Sequence, residues 1–263
     1  IAARILIAAA WVLAIAVMEH WFPGDRTVAQ LNCLGAWDGG FYRDIAVIGY
    51  GDVLLEAVRF FPLYPLLGRW LAAPFGLEPG VALIVLANVL SLAAGVLVRR
   101  LALAEGRDAA TAERAVWALN LFPAAFVLAW GYGEALYVSL AIVVFLTARR
   151  DRWGWAAAAA GAAALTRPVG LLLAAPLAIE ALRSWRAAPA LGRVVRVVAV
   201  AAPVAATGLY LAYIGALRGD PMAPVSVQDE FRTPMDPFTR VVRGIGDLFG
   251  PEIFGDGLHV PFV

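Results

Sequence analysis

GVALIVLANVLSLAAGVLV, residues 80–98, is an apolar stretch without a charged side chain, and it decides the fold class. A helix that crosses the hydrocarbon core of a membrane needs about 20 predominantly apolar residues. Comparable stretches lie on both sides of it, at about 4–19, 115–130, 134–148, 153–166, 168–182 and 194–215. The pattern predicts an all-α protein, a multi-pass transmembrane helical bundle.

Composition supports this prediction and excludes several classes. The chain is 62% hydrophobic and 16% charged, whereas soluble domains are about 45–50% apolar and about 25% charged. Disorder and a disulfide-stapled secreted domain are therefore excluded, and a net charge of +1 argues against nucleic acid as a partner. A single cysteine, Cys33, leaves no internal disulfide, and neither His20 nor His259 has metal-ligand spacing. No metal site or cofactor is predicted.

The arginines predict how the spans are oriented, because short Arg-rich loops stay in the cytoplasm. All 21 basic residues are arginine, a bias typical of GC-rich bacterial coding. Their clusters near 4, 99–114, 149–152 and 183–196 alternate with Arg-poor turns if the N-terminus is cytoplasmic. Residues 153–182 form either one long helix kinked at Pro168 or two short spans that meet at Arg167, and the alternation favours two.

This topology divides the chain into a transmembrane core at 1–215 and an extracytoplasmic tail at 216–263, with further spans expected beyond it. The outer face receives the first outer loop at about 20–79, the turns at 130–134 and 167, and the tail. Apolar residues at helical spacing in 38–48, 53–72 and 238–249 predict amphipathic helices that lie in the interface plane. Most of the unusual polar residues share this side, so we expect the site at the extracytoplasmic face of a cell-membrane protein.

Two acidic residues of the first outer loop follow Trp37. Asp38 is either the cap of a helix or a general base whose pKa is raised by burial, and one side chain can do both. Asp44 either pairs with Arg43 or acts as a second acid. Residues 60–65, FFPLYP, form either an aromatic belt at the headgroups or a wall that stacks on substrate and guides lipid.

Polar residues near the predicted span ends are the other candidates. Arg167 either reaches back to the surface or faces a cavity and binds an anion such as a lipid phosphate. Tyr132 and Glu134 lie in a tight turn between two spans, where the carboxylate either caps the next helix or belongs to a site. Gln228 lies in a polar cluster of the tail, which is otherwise an ordinary solvated loop.

The sequence has no Walker loop, no Asp-x-Asp pair and no dinucleotide-binding unit. A group transferred by this chain therefore has to come from a donor other than a soluble nucleotide, and a membrane lipid carrier is the natural one. Two other functions stay open at this point. One is a transporter or lipid flippase, which also places charges at membrane depth, and the other is a non-catalytic subunit of an envelope complex.

Several motifs resemble those of PIG-V-type mannosyltransferases, including bacterial relatives, over about residues 30–240. The first outer loop carries Trp37-Asp38, Phe41-Tyr42, Ile45-Ala46, Gly49-Tyr50 and Phe60-Phe61-Pro62-Leu63-Tyr64-Pro65. After them come Asn88, Leu121-Phe122-Pro123, Tyr132-Gly133-Glu134-Ala135-Leu136, Ala164-Leu165-Thr166-Arg167-Pro168-Val169-Gly170 and Gln228. The resemblance lies in the fact that these pieces follow one another in the same order and on the same side of the membrane.

The resemblance implies a GT-C fold and transfer of mannose, with inversion, from a polyprenyl-phosphate donor to a glycan or glycolipid acceptor. It implies that Asp38 is the catalytic base, that Arg167 holds the departing phosphate, and that Tyr132 and Glu134 line the sugar pocket. The other residues expected to bind substrate are Tyr42, Arg43, Asp44, Tyr64 and Gln228. Membrane lipids and the lipid-linked sugar are then the partners, and metal dependence stays open.

Overall fold

A computed structural model of the protein describes residues 37–231 without a gap, together with residues 34 and 35 and positions 5, 6, 8, 9, 12, 13, 16, 239 and 242. The described residues contain helices and no strand, which confirms the all-α prediction. The predicted span at 4–19 falls outside them apart from isolated positions, as does the predicted tail helix at 238–249. The helices are α1 Asp38–Ile48, α2 Leu63–Ala72, α3 Pro79–Ala104, α4 Ala109–Leu121, α5 Glu134–Ala148, α6 Trp153–Thr166, α7 Ala174–Arg183, α8 Ala190–Arg218 and α9 Ala223–Phe231.

Two of these helices, α3 and α8, are long and apolar enough to cross a membrane by themselves, at 26 and 29 residues. In the most apolar 18-residue stretch of each helix, only 28% (α3) and 22% (α8) is buried within the protein. Large apolar side chains such as Val85, Val89 and Val96 on α3 are exposed along them. A soluble protein rarely exposes so much contiguous apolar surface, so these faces fit a hydrocarbon environment.

The helices pack side by side, with α5 between α3 and α6, and α6 against α8. Helix α6 makes close approach possible because alanines line its contacts; Ala156, Ala160 and Ala163 are completely buried. Small residues of this kind let helix backbones pack tightly where no water-driven collapse operates. The helix also keeps the predicted bounds of its span, 153–166, as α5 keeps 134–148.

The chain reverses between α6 and α7 through a break at Arg167. Its backbone is extended, with φ −150° and ψ 147°, and a 3₁₀ helix at Pro168–Leu173 leads into α7. At Gly170 a Cβ atom would lie 2.5 Å from the backbone of Ala163, so only glycine permits this approach. The prediction of two segments that meet at Arg167 is confirmed, and the single kinked helix is excluded.

The predicted span at 115–130 is wrong as a continuous helix. Helix α4 ends at Leu121, Phe122 adopts ψ 139°, and a separate 3₁₀ helix covers Pro123–Leu128. Proline has no N–H to donate and restricts the residue before it to extended conformations, which explains the break. Hydrophobicity alone does not register this interruption.

The alternation of helix directions gives the molecule two polar ends. At one end Arg149 pairs with Glu105 and with Glu180, which joins the ends of α3, α5 and α7. At the other end lie the starts of α1, α3 and α5 and the end of α6. The arginine clusters of the connecting loops thus gather away from Asp38 and Arg167, and those two residues come together.

Candidate functional site

A cavity of about 230 Å³ opens at the end of the bundle that carries the start of α1. Its walls come from α1, from the segment that follows the 3₁₀ helix Leu55–Arg59, from the α6–α7 turn and from α9. The residues that line it are Asp38, Tyr42, Arg59, Phe60, Phe61, Arg167, Pro168 and Gln228. Four of them, Asp38, Tyr42, Arg167 and Gln228, are residues that the sequence pointed to.

Asp38 is the first residue of α1 and is half-buried. The expected cap is not seen, because Trp37 holds the cap position, with φ 51°, and no side chain caps this helix. Burial raises the pKa of the Asp38 carboxyl above its ordinary value of 3.8, and the charges of Arg59 and Arg167 oppose part of that rise. A carboxylate with a raised pKa is a stronger base when ionised, which suits proton abstraction.

Arg167 and Glu134 form an ion pair beside Asp38. Glu134 is the first residue of α5, where a negative charge interacts favourably with the helix dipole. Its Oε1 atom accepts from the Arg167 guanidinium, whereas its Oε2 atom is buried and has no hydrogen-bond partner among the described residues. The pair fixes Arg167 from behind the cavity wall, because Glu134 itself does not line the cavity.

Tyrosines line and support this part of the cavity. Burial raises the pKa of the Tyr42 and Tyr132 phenols, so both stay protonated at neutral pH. The backbone N–H of Asp38 donates to the Tyr132 hydroxyl, and a Cβ at Gly39 would lie 3.5 Å from the Tyr132 ring. Tyr132 therefore supports the start of α1 from below the cavity.

Tyr64 lies one layer deeper. Its hydroxyl donates to the carbonyl of Leu83 at 2.7 Å, and its ring meets the ring of Tyr42 edge to face at 5.0 Å. It is completely buried and does not line the cavity. The structure thus places Tyr64 where it holds α2 to α3 and supports Tyr42.

Arg43 and Asp44 lie on the exposed side of α1, outside the cavity. Their side chains pair with each other at 3.6 Å, and Arg43 Nε donates to Glu78 Oε1 at 2.8 Å. The pairing that the sequence allowed as one alternative is therefore present. Both residues serve the junction between α1 and the start of α3, away from the other candidates.

Sequence reasoning did not assign Arg59 or Pro168 to the site. The Arg59 guanidinium lies over the rings of Phe60 and Phe41, at 4.9 and 5.3 Å from their centroids. The sequence showed Arg59 directly before the aromatic pair, within a stretch that predicted an interfacial amphipathic helix. Phe60 and Phe61, which the sequence assigned either to an aromatic belt or to a substrate wall, line the cavity.

Comparison with models of known protein families shows to which family the chain belongs. Residues 61–242 match the model of glycosyltransferase family 87. The chain belongs to this family. It is therefore a membrane glycosyltransferase, an enzyme that takes a sugar donor and a glycan acceptor. Comparison with curated proteins and with solved structures finds no match.

The family assignment supports the glycosyltransferase class that the motifs implied, although PIG-V-type enzymes are a different family from the one matched. It also decides against a transporter. Glu134, Arg167 and Gln228 lie inside the matched range, whereas Asp38 and Arg59 precede it. The cavity joins residues from both parts of the chain.

Proposed function

We propose that this family 87 enzyme transfers mannose from a polyprenyl-phosphate donor to an acceptor hydroxyl, with inversion at the anomeric carbon. The observation that carries the proposal is that Asp38 and Arg167, which are far apart in sequence, line one cavity. A transferase of this type needs a base for the acceptor and a cation for the leaving phosphate. Both groups are present, within reach of each other's charge.

The reaction is a single displacement. The acceptor oxygen attacks the anomeric carbon while its proton passes to the Asp38 carboxylate. The bond between the anomeric carbon and the phosphate oxygen breaks, and the phosphate leaves with the electron pair. Arg167 stabilises the charge that develops on this oxygen, so no acid is needed there. Attack from the face opposite the leaving group inverts the configuration.

The remaining residues bind the sugar and align the two substrates. The protonated phenol of Tyr42 and the amide of Gln228 offer hydrogen bonds to the sugar from the cavity wall. Phe60 and Phe61 form the apolar part of the cavity wall beside the sugar. Alignment of two lipid-proximal substrates supplies a large part of the rate enhancement.

We place this site at the extracytoplasmic face of the cell membrane, in a multi-pass bundle of GT-C type. Support comes from the arginine-rich loops, which gather at the opposite polar end and mark the cytoplasmic side. Helices α1 and α2 then lie in the interface beside the cavity mouth. The absence of nucleotide-binding motifs from the sequence supports a lipid-linked donor and a glycan or glycolipid acceptor.

The test is the Asp38→Asn variant reconstituted in liposomes with labelled polyprenyl-phosphate-mannose and a membrane glycolipid and glycan extract. Loss of the base lowers the transfer rate about a hundredfold to ten-thousandfold. Asp52→Asn is the matched control, because Asp52 is an exposed carboxylate in the same outer loop and does not line the cavity. Unchanged transfer by folded Asp38→Asn protein rejects Asp38 as the base. A wild-type enzyme that uses another lipid-linked sugar and ignores mannose rejects the donor assignment.

A further inference from the structure

Arg59 is a second cation in the cavity, and it stands on an aromatic platform. The rings of Phe41 and Phe60 stack at 5.0 Å with an interplanar angle of 18°, and the guanidinium lies over both. Planar stacking on aromatic rings restricts the orientation of an arginine fork, which recognises phosphate oxygens in a bidentate manner. The residue shares the cavity with Asp38, which places it next to the reacting groups.

The backbone on both sides of Arg59 is held by two buried tyrosines, Tyr50 and Tyr210. Tyr210 of α8 donates its hydroxyl to the carbonyl of Val58 at 2.6 Å, and Tyr50 donates to the carbonyl of Phe60 at 2.6 Å. These two carbonyls belong to the residues on either side of Arg59. Buried phenols require such partners, and the contacts fix the position from which the Arg59 side chain departs.

Together with Tyr50 and Tyr210, Arg218 at the end of α8 holds this segment, and we call these three residues the clamp. The Arg218 guanidinium donates to the carbonyl of Tyr50 at 2.8 Å and also to that of Val53. The segment 50–60 is therefore tied to a long apolar helix at two levels, one by Tyr210 and one by Arg218. This rigid support is typical of a functional group that is preorganised for its ligand.

Charge balance gives Arg59 a role that Arg167 does not fill alone. Glu134 already neutralises Arg167 through their ion pair. Without Arg59, the ionised Asp38 would leave the cavity with a net negative charge, which repels an anionic donor. With Arg59 the four charges cancel, and when Asp38 takes the acceptor proton the cavity gains a net positive charge. That change coincides with the new negative charge on the departing phosphate.

We propose that Arg59, oriented by Tyr50 and Tyr210, binds the phosphate of the lipid-linked donor, while Arg167 is fixed by Glu134 at the sugar side of the same phosphate. This inference rests on the proposed lipid-phosphate donor. No new covalent step is added. The phosphate that leaves with the electron pair is received by a cation that is present before the reaction starts.

The test measures binding of sugar-free polyprenyl phosphate to detergent-solubilised protein. Arg59→Gln should weaken this binding about tenfold to a hundredfold, the equivalent of a lost charge-assisted hydrogen bond. Arg59→Lys keeps the charge but not the planar guanidinium, so its affinity for polyprenyl phosphate should lie between those of the wild-type protein and Arg59→Gln. Arg69→Gln is the matched control, since Arg69 is an exposed arginine of the same loop that donates to the carbonyl of Val47. A thermal unfolding transition like that of the wild-type protein shows that each variant is folded.

The outcomes separate the two proposals. A wild-type protein that does not bind polyprenyl phosphate overturns the donor class and the inference with it. Wild-type binding that survives Arg59→Gln unchanged overturns the inference and leaves the proposed function standing. Binding that is lost in Arg59→Gln and kept in Arg69→Gln supports both.

A double-mutant cycle tests the clamp. Tyr210→Phe removes only the hydroxyl that holds the carbonyl of Val58, so it should weaken phosphate binding in the wild-type background. If Tyr210 acts through Arg59, the same change should have no further effect in Arg59→Gln protein. Equal effects in both backgrounds, or none in either, contradict the positioning role of Tyr210.

Discussion

Two arginines at opposite ends of the bundle show how the same side chain serves structure or chemistry. Arg196 is 4% exposed, and each of its three nitrogens donates to an acceptor within the protein. Its Nε donates to Ser184 Oγ at 2.9 Å, its Nη1 to the carbonyl of Gly192 at 3.0 Å, and its Nη2 pairs with Asp151, while the ring of Trp153 lies below it. These contacts hold the Arg196 side chain within the protein, so the cluster joins the start of α6, the end of α7 and α8.

At the site end the pairing is incomplete. The side chain of Arg167 is 30% exposed, and its partner Glu134 keeps one buried carboxylate oxygen without a hydrogen bond among the described residues. A buried polar atom in this state costs free energy. The contrast shows that the site differs from the scaffold in how completely its charged groups are hydrogen-bonded within the protein, and not in whether charged groups are present.

The largest effect on stability is expected at Arg196. Arg196→Met should lower the free energy of unfolding by about 1–3 kcal/mol, because Ser184 Oγ and the carbonyl of Gly192 lose their donor, whereas the exposed Asp151 is rehydrated. Denaturant unfolding in detergent measures it. Binding of polyprenyl phosphate by the folded fraction should be unchanged. A loss of ligand binding without a loss of stability would erase the distinction between the two ends.

A smaller effect, on catalysis, is expected at Glu134. Glu134→Gln keeps the shape but removes the charge that fixes Arg167, so kcat should fall about tenfold. The cavity also becomes more positive, so KM for the anionic donor should fall as well. Steady-state kinetics with lipid-linked donor separate the two constants, and Glu134→Asp should restore part of kcat. A raised KM with unchanged kcat would instead indicate a residue that contacts only the sugar.

The pH profile is expected to show the Asp38 titration. Its pKa is raised by burial, so activity should fall with decreasing pH at a midpoint above the ordinary 3.8. The charged and titratable groups that face it are Arg59, Arg167, Glu134, Tyr42 and Tyr132. Removal of the positive charge in Arg59→Gln raises the pKa of Asp38 further and should move this acid limb to higher pH. Arg196→Met should leave the limb in place, and a shift there would contradict the separation of the two ends.

The smallest effect is expected at Arg43. Its pairs with Asp44 and Glu78 are exposed, with about half of the Arg43 side chain in solvent. Exposed pairs contribute about 0–1 kcal/mol. Arg43→Gln should therefore change the free energy of unfolding far less than Arg196→Met does in the same assay. An equal loss would mean that this junction is as important to the fold as the buried cluster.

Much of the helix pattern was predictable because it depends on local composition. The bounds of α5 and α6 match the predicted spans. Helix α3 adds one residue before its predicted span and six after it, and α8 adds four before and three after. The added turns are polar or mixed, which hydropathy does not count. The break at Phe122-Pro123 was missed because the apolar run continues through it, although the proline carried the signal.

The site was predictable only in part, for a different physical reason. That Asp38 and Arg167 lie at the same end of the bundle could be predicted, because the alternation of the arginine clusters indicates which span ends share a face. Arg59 was missed because its direction depends on Tyr210, a residue about 150 positions further along the chain. The direction of Arg43 and Asp44 was likewise set by Glu78 and not by their own spacing.

The close approach at Gly170 limits how this enzyme can vary. Even a methyl group there would have to displace the peptide of Ala163, and the displacement would travel through the four residues that end at Arg167. The helices themselves would remain apolar and inserted. A protein altered at this position would therefore resemble an intact membrane protein in abundance and size while its guanidinium pointed elsewhere, so that surveys of expression level alone would class it as harmless.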